Sequence, residues 1–181
     1  MQRRTVNNGS VNVRDICVFA MLGALMFASK KIMEVLPNIH LLGLLTVTYT
    51  IVYRKRALVP VYLYVMLEGL FSGFNFWWLP YTYIWTLLWA ITMILPRNMP
   101  RKLAYVVYSV ICALHGFAFG TLYAPAQALM FGLNFKQTVA WIIAGLPYDM
   151  IHGFSNLGLG ILAVPLAELL KKLSHRSNVK A

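Results

Sequence analysis

The sequence predicts an all-α integral membrane protein with six transmembrane helices and with both the N-terminus and the C-terminus in the cytoplasm. Of its 181 residues, 60% are hydrophobic and only 12% are charged, and the mean hydropathy is +0.66. Soluble domains contain about 45–50% apolar and about 25% charged residues. The apolar residues form six segments and the cations cluster between them, which indicates repeated membrane crossing.

A transmembrane helix needs about 20 mostly apolar residues, or fewer where neighbouring helices support it. Six segments qualify as predicted helices 1 to 6: 16–33, 39–53, 57–74, 79–95, 103–123 and 138–170. Predicted helix 6 is long enough to bend, and Pro147 offers a place for the bend. The segment before it is expected to hold a short amphipathic surface helix. With no repeat or linker, residues 1–181 are expected to form one transmembrane domain.

The positions of Lys and Arg predict the orientation. When six helices are threaded, 13 of the 16 lie on one side, which the positive-inside rule places in the cytoplasm. They are Arg3, Arg4, Arg14, Arg54, Lys55, Arg56, Arg97, Arg101, Lys102, Lys171, Lys172, Arg176 and Lys180. The first apolar segment is expected to be retained as a helix, because it lacks a small-residue cleavage site followed by a soluble domain.

Composition and motifs exclude several function classes. The net charge of +11 does not indicate nucleic-acid binding, since the cations separate apolar runs instead of forming a basic face. Cys17 and Cys112 have no CxxC or Cys/His spacing, so neither a disulfide framework nor a zinc site is supported. Walker A, HExxH and GxSxG sequences are missing. We therefore expect no enzyme activity and no cofactor, and any ATP-driven work must come from another chain.

Predicted helix 6 contains a polar face. At 100° per residue, Asp149, His152 and Asn156 share one side of an otherwise apolar helix. Ionisable residues at membrane depth usually face a protein interior or a wet cavity. Three interpretations stay open: an internal hydrogen bond or ion pair that locks two helices, a metal site formed with His115, or polar recognition of a ligand.

An aromatic stripe runs down predicted helix 4. Trp85 and Trp89 continue it below the interfacial belt of aromatic residues, so the stripe is either ordinary helix packing or a wall for a flat ligand. Predicted helix 5 adds His115 near mid-depth, with Tyr123 two turns later. Gly116 and Gly120 form a GxxxG pair that favours close helix approach.

Six further residues are placed to contribute from the outer side: Glu34, Asn38 and His40 in the first loop, Glu68 and Asn75 of predicted helix 3, and Gln127 after predicted helix 5. The alternative is that these side chains do not contact a ligand and are only solvated or structural. The candidate pocket holds carboxylates, amides and histidines but no Arg, the usual partner of carboxylate or phosphate. These features favour a neutral or weakly basic, flat, hydrogen-bonding solute.

Small residues recur at four-residue spacing on predicted helix 1, at Ala20, Ala24 and Ala28. Such a stripe lets another helix approach closely, either within the chain or from a partner subunit.

The AxxxAxxxA stripe, the PNIH loop and the DxxHxxxN pattern, on six helices with both ends inside, together resemble the S components of energy-coupling factor (ECF) transporters. These are the substrate-binding subunits of bacterial vitamin importers, and the resemblance covers nearly the whole chain. It implies a multi-pass protein of the bacterial plasma membrane, with Ala20, Ala24 and Ala28 contacting a transmembrane coupling subunit that two ATPase subunits drive. It also implies substrate capture near the outer face by the first loop and helices 4 to 6.

The leading hypothesis is therefore a subunit that binds a small aromatic heterocycle, such as a pyrimidine or pyridine vitamin precursor, with Trp85, Trp89, His115, Tyr123, Asp149, His152, Asn156, Glu34, Asn38 and Glu68 as candidate contacts. A solitary proton-coupled carrier that uses Asp149 and His152 as a relay is the alternative. A membrane enzyme built on His115, Asp149 and His152 lacks a recognisable nucleophile.

Overall fold

A computed structural model describes residues 13–176, and these residues form eight α-helices and no β-strand. The helices are α1 (Val13–Ile32), α2 (Leu42–Tyr53), α3 (Leu58–Ser72), α4 (Tyr81–Ile94), α5 (Arg101–Phe117), α6 (Phe119–Phe131), α7 (Phe135–Gly160) and α8 (Ala163–Arg176). The all-α prediction is confirmed within this range. Arg3, Arg4 and Lys180, used for the charge argument, lie outside it.

Two stretches of the described chain are long and apolar enough to cross a membrane, namely Val13–Val35 and Arg101–Phe131. Helices α7 and α8 together provide a third such stretch if they are counted as one bent membrane span. By contrast α2, α3 and α4 contain only 12, 15 and 14 residues. These three are shorter than the roughly 20 residues that cross a bilayer unaided.

Glycine and proline mark one boundary each of α3, α4 and α5. The α3 helix ends at Gly73, whose φ of +90° is accessible to glycine at little cost. Pro80 and Pro100 stand immediately before α4 and α5 and fix the entry of the chain. The observed end of α3 and the observed starts of α4 and α5 lie within a few residues of those expected for predicted helices 3, 4 and 5.

Predicted helix 6 bends at a different place from the one expected. Pro147 lies inside the continuous α7, and the axis turns by 51° between α7 and α8, at residues 161–162. Pro165 accounts for this position, because it has no N–H to bond the carbonyl of Ile161 and its ring crowds that carbonyl. The bend therefore lies about three turns beyond Asp149.

The predicted helix 5 and the expected surface helix form one nearly continuous stretch. The break at Ala118 separates α5 from α6, and α6 runs on to Phe131, beyond the predicted end at 123. Leu122 N–H still bonds the carbonyl of Ala118, so the axis is interrupted for a single residue.

The central helix of the bundle is α2. Every one of its residues except Ile51 is buried, and it packs against α4, α5, α7 and α8 as well as α1. Its sequence LGLLTVTYTIVY has no charge and is apolar all round, which is the pattern of a helix buried on every side.

Helices α5 and α7 approach most closely through glycine. A Cβ built at Gly116 would lie 2.8 Å from the carbonyl oxygen of His152, and one at Gly160 would lie 2.7 Å from Cα of Ser109. Without those side chains the two backbones touch. This close approach sets α7 so that its polar face meets α5 and α6.

Polar contacts join the chain segments at one end of the bundle, called here the basic end. They are Arg56 to Asp15 (2.8 Å), Arg54 Nη2 to the Met93 carbonyl (2.6 Å), Tyr53 to Ser174 (2.8 Å) and Arg101 to Glu168 (3.0 Å). The opposite end, called the loop end, contains residues 33–41 and 73–80. There Lys31 pairs with Glu68 at 3.1 Å and ties α1 to α3.

Candidate ligand-binding site

The polar face of α7 is turned into the protein. Asp149, His152 and Asn156 are 6%, 2% and 1% exposed, whereas Met150 and Ile151 beside them are 47% and 43% exposed. The capping box of Asn134 and Gln137 starts the helix four turns earlier. The prediction that this face lies in the interior is confirmed.

Asp149 contacts the start of α6. Its Oδ1 and Oδ2 accept the backbone N–H of Gly120 at 3.0 and 3.1 Å. That N–H belongs to the first turn of α6, where helical donors lack intrahelical partners. The contact is a hydrogen bond that locks two helices, one of the three interpretations left open for this residue.

Trp85 lies at the centre of an aromatic cluster. It is 1% exposed, and its ring centroid lies 5.5 Å from that of His115, 5.9 Å from those of His40 and Phe119, and 6.1 Å from that of Tyr81. The rings come from α4, α5, α6 and the loop before α2. Tyr64 on α3 adds a fifth neighbour at 6.3 Å.

A cavity of about 180 Å³ opens at the loop end in front of this cluster. Residues of the first loop and of four helices line it, including Glu34, Asn38, His40, Tyr81, Phe119 and His152. The ring centroids of His40 and His152 are 4.5 Å apart, and the ring of Phe119 lies 4.9 Å from that of His152, tilted by 59°. Lys30 lines the rim, and the cavity lining contains no Arg.

Several buried polar atoms around Trp85 have no hydrogen-bond partner among the described residues. They are Trp85 Nε1, His40 Nδ1, His115 Nδ1, His152 Nε2 and the hydroxyl of Tyr64. Asn156 lies on the same face of α7 as His152, and its side-chain amide oxygen and nitrogen also have no hydrogen-bond partner among the described residues. Most buried polar side-chain atoms are paired, so such a concentration requires an explanation.

His115 has a defined donor and acceptor. Its Nε2 lies 3.2 Å from the carbonyl oxygen of Ile84, and a carbonyl only accepts, so Nε2 carries the proton. In the neutral ring Nδ1 is then an acceptor. The indole N–H of Trp85 is a donor, so the cluster presents both kinds of group.

Of the ten predicted site residues, Glu34, Asn38 and His152 line this cavity, and Trp89 and Tyr123 bond to other parts of the chain. Trp89 Nε1–H donates to the carbonyl of Arg54 at 3.0 Å, which joins α4 to the α2–α3 connection at the basic end. Tyr123 donates its hydroxyl proton to the carbonyl of Trp77 at 2.8 Å and stacks on Trp141 at 5.8 Å. Through these contacts Trp89 and Tyr123 connect segments of the chain that are distant in sequence.

Glu34 and Glu68 belong to an ion-pair network. Lys31 Nζ lies 2.8 Å from Glu34 Oε1 and 3.1 Å from Glu68 Oε1, and Lys30 pairs with Glu34 at 3.3 Å. Glu68 is 3% exposed and its Oε2 has no partner among the described residues. Glu34 also lines the cavity, so this network borders the candidate site.

The alanine stripe faces outward. Ala20, Ala24 and Ala28 are exposed, while Leu22, Gly23 and Met26 on the opposite side of α1 are buried against α2 and α3. The stripe is not used for packing within the described part of the chain.

Tyr64 was not among the sequence candidates. It lies one helical turn before Glu68, so the two side chains share a face of α3. The four-residue spacing from Glu68 could have indicated that Tyr64 belongs to the site. A tyrosine in an apolar segment is also typical of core packing, however, so the spacing alone does not distinguish the two roles.

The His, Cys, Asp and Glu side chains in residues 13–176 include no group of three placed to hold a metal ion. Comparisons with protein-family models, curated proteins and solved structures give no match to the chain.

Proposed function

We propose that this chain is the substrate-binding membrane subunit of an ECF-type importer and captures a small aromatic heterocycle, such as a vitamin or vitamin precursor, at the loop end. The observation that carries the proposal is the pair of unpartnered buried ring nitrogens, His40 Nδ1 and His152 Nε2, on two residues that line the cavity. A hydrogen-bonding solute in the cavity would supply their partners, whereas a purely structural core gains nothing from them.

The cavity lining favours a flat, single-ring solute. Rings of Tyr81, Phe119, His40 and His152 line the walls, and aromatic rings stack well on planar ligands. A volume of about 180 Å³ is below the roughly 300–1,000 Å³ of sites for drug-sized ligands. The unpartnered nitrogens of His40 and His152 favour a ring that carries hydrogen-bonding groups, as pyrimidines and substituted pyridines do.

The remaining parts of the proposal concern topology and partners. Six crossings would put the basic end in the cytoplasm, with the short helices α2, α3 and α4 supported by their neighbours. The outward-facing Ala20, Ala24 and Ala28 would receive a transmembrane coupling subunit, and two ATPase subunits would supply the energy. This arrangement belongs in a bacterial plasma membrane.

Thermal unfolding of the purified protein with a panel of heterocycles tests the binding step. We expect one single-ring compound to raise the melting temperature in proportion to the logarithm of its concentration, and larger bicyclic compounds to have no effect. Mass spectrometry of the solute that copurifies with the protein would give its identity. A protein that no heterocycle stabilises would contradict the proposal.

Transport measurements separate this proposal from a proton-coupled carrier. An importer subunit takes up substrate only in membranes that also contain the coupling subunit and the ATPases, and uptake then requires ATP. Uptake in vesicles by this chain alone, abolished by an uncoupler, would instead support the carrier.

A further inference from the structure

A second concave surface lies between α5 and α7, away from the loop end. It is an apolar groove of about 670 Å³, and its walls include Val106, Val110, Phe154, Leu157 and Ile161, all of which are exposed. Both hydroxyls that line it have partners: that of Ser109 donates to the carbonyl of Leu157, and that of Tyr105 accepts from Arg101 at 3.5 Å. The groove therefore offers almost only hydrocarbon contacts.

A smaller pocket of about 140 Å³ lies at the basic end, between α2, α5 and α8. Three cations line it, Arg97, Arg101 and Lys171, against a single carboxylate, Glu168. Arg101 is paired with Glu168 at 3.0 Å. Arg97 and Lys171 have no ion-pair partner among residues 13–176, so the pocket keeps an excess of positive charge.

The groove and the pocket adjoin through two neighbouring side chains. The guanidinium of Arg101, which lines the pocket, lies 5.8 Å from the ring centroid of Tyr105, which lines the groove. Along α5 the groove extends from Tyr105 to Val110. At 1.5 Å per residue it therefore begins about 6 Å from the cationic end and continues about 8 Å further toward the membrane centre.

The geometry points to a binding site for one anionic phospholipid, with its phosphate at Arg97 and Lys171 and an acyl chain in the α5–α7 groove. A phosphate needs the cations and an acyl chain needs the hydrocarbon surface, and the two adjoin where Arg101 meets Tyr105. A soluble anion would leave the groove unused. A purely apolar partner helix would leave the charge excess unmatched. The inference requires that the chain lies in a bilayer, but it does not depend on substrate transport.

Native mass spectrometry of the full chain in detergent tests the site, with added phosphatidylglycerol compared with phosphatidylcholine of the same acyl chains. We expect preferential retention of phosphatidylglycerol. Since each Lys or Arg near an anionic surface contributes about fivefold in affinity, the double variant Arg97→Gln/Lys171→Gln is expected to lose about 25-fold. Lys55→Gln, which removes an exposed charge at the same end but outside the pocket, is the control and is expected to retain the lipid.

The groove is tested separately with a glycine pair on α7. A Cβ at Gly158 or at Gly145 meets nothing within 4 Å, so a large residue fits at either position, but only Gly158 lines the groove. Gly158→Trp is expected to abolish lipid retention and Gly145→Trp to leave it intact. Equal retention of the two lipids, full retention by the double variant or by Gly158→Trp, or equal stabilisation by inorganic phosphate alone would each overturn the inference.

Discussion

Both carboxylate oxygens of Asp149 accept one backbone N–H, that of Gly120, at 3.0 and 3.1 Å. The contact joins α7 to the first turn of α6 in a buried position. Glycine is required there because a Cβ at position 120 would lie 2.5 Å from Asp149 Oδ2.

The first prediction concerns this contact. Gly120→Ala forces the carboxylate away from the N–H and leaves both groups buried without each other, so we expect a loss of about 1–3 kcal/mol in the free energy of unfolding. Gly145→Ala is the matched control, since a Cβ there meets no atom within 4 Å. It should leave stability unchanged or raise it by up to about 1 kcal/mol through helix propensity. Denaturant unfolding in detergent measures both, and equal losses would show that the Asp149 contact is unimportant.

The two tryptophans of α4 are predicted to have opposite roles. Trp85→Phe removes an N–H that has no partner in the described chain, whereas Trp89→Phe removes one that bonds the Arg54 carbonyl at 3.0 Å. Both lose similar ring volume, so Trp89→Phe should be the less stable by about 1 kcal/mol or more. Heterocycle binding should weaken in Trp85→Phe only. Calorimetric titration and thermal unfolding of the two proteins give the comparison, and loss of binding in Trp89→Phe alone would reverse the assignment.

The ion-pair network at the loop end is predicted to depend unequally on its two carboxylates. Glu68 is 3% exposed and pairs with Lys31 between helices. Glu68→Gln should therefore cost about 1–3 kcal/mol, because Lys31 is partly exposed and keeps Glu34 as a partner. The side chain of Glu34 is 46% exposed, and Glu34→Gln should cost less than about 1 kcal/mol. Chemical unfolding measures the difference in stability between the two variants, as the difference between their transition midpoints. Similar losses would mean that Glu34 and Glu68 contribute alike.

The outward face of α1 provides a test of coupling. Ala24 is exposed, so Ala24→Trp should leave stability and heterocycle binding unchanged while abolishing ATP-dependent uptake in membranes that contain the partner subunits. Leu114→Trp is a suitable control, because Leu114 is also exposed but lies on α5, whose main packing partner is α7. Lost binding in Ala24→Trp would indicate that the stripe is internal packing.

Periodicity and charge predicted the helical class, the approximate ends of the first four helices and the buried polar face of α7. These properties depend on local sequence: apolar run length, Gly and Pro positions, and the 100° rotation per residue. The position of the bend was missed for a specific reason. Pro147 and Pro165 are both helix prolines, but Pro147 is accommodated within the continuous α7, whereas the chain turns one helical turn before Pro165.

The composition of the site was less predictable. Helical spacing placed Trp85 and Trp89 on one stripe, yet Trp89 is drawn to the Arg54 carbonyl, a contact between residues 35 positions apart. His40 contacts Trp85 from a loop and Tyr64 contacts it from α3. The periodicity within one helix cannot predict contacts between residues of different segments. Asp149 and His152 share a helical face but meet different partners, because α6 begins beside one and the first loop lies beside the other.

The basic end and the loop end of the bundle differ in how firmly they are connected. Ion pairs and hydrogen bonds of Asp15, Arg54, Arg56 and Glu168 join most helices at one end, while the other end contains a cavity bordered by an irregular loop. Backbone amides should therefore exchange with solvent fastest in residues 36–41 and slowest in α2. Because this opening is local, a solute bound in the cavity as proposed would enter and leave on a timescale much shorter than that of global unfolding, and repeated loading would leave the rest of the bundle undisturbed.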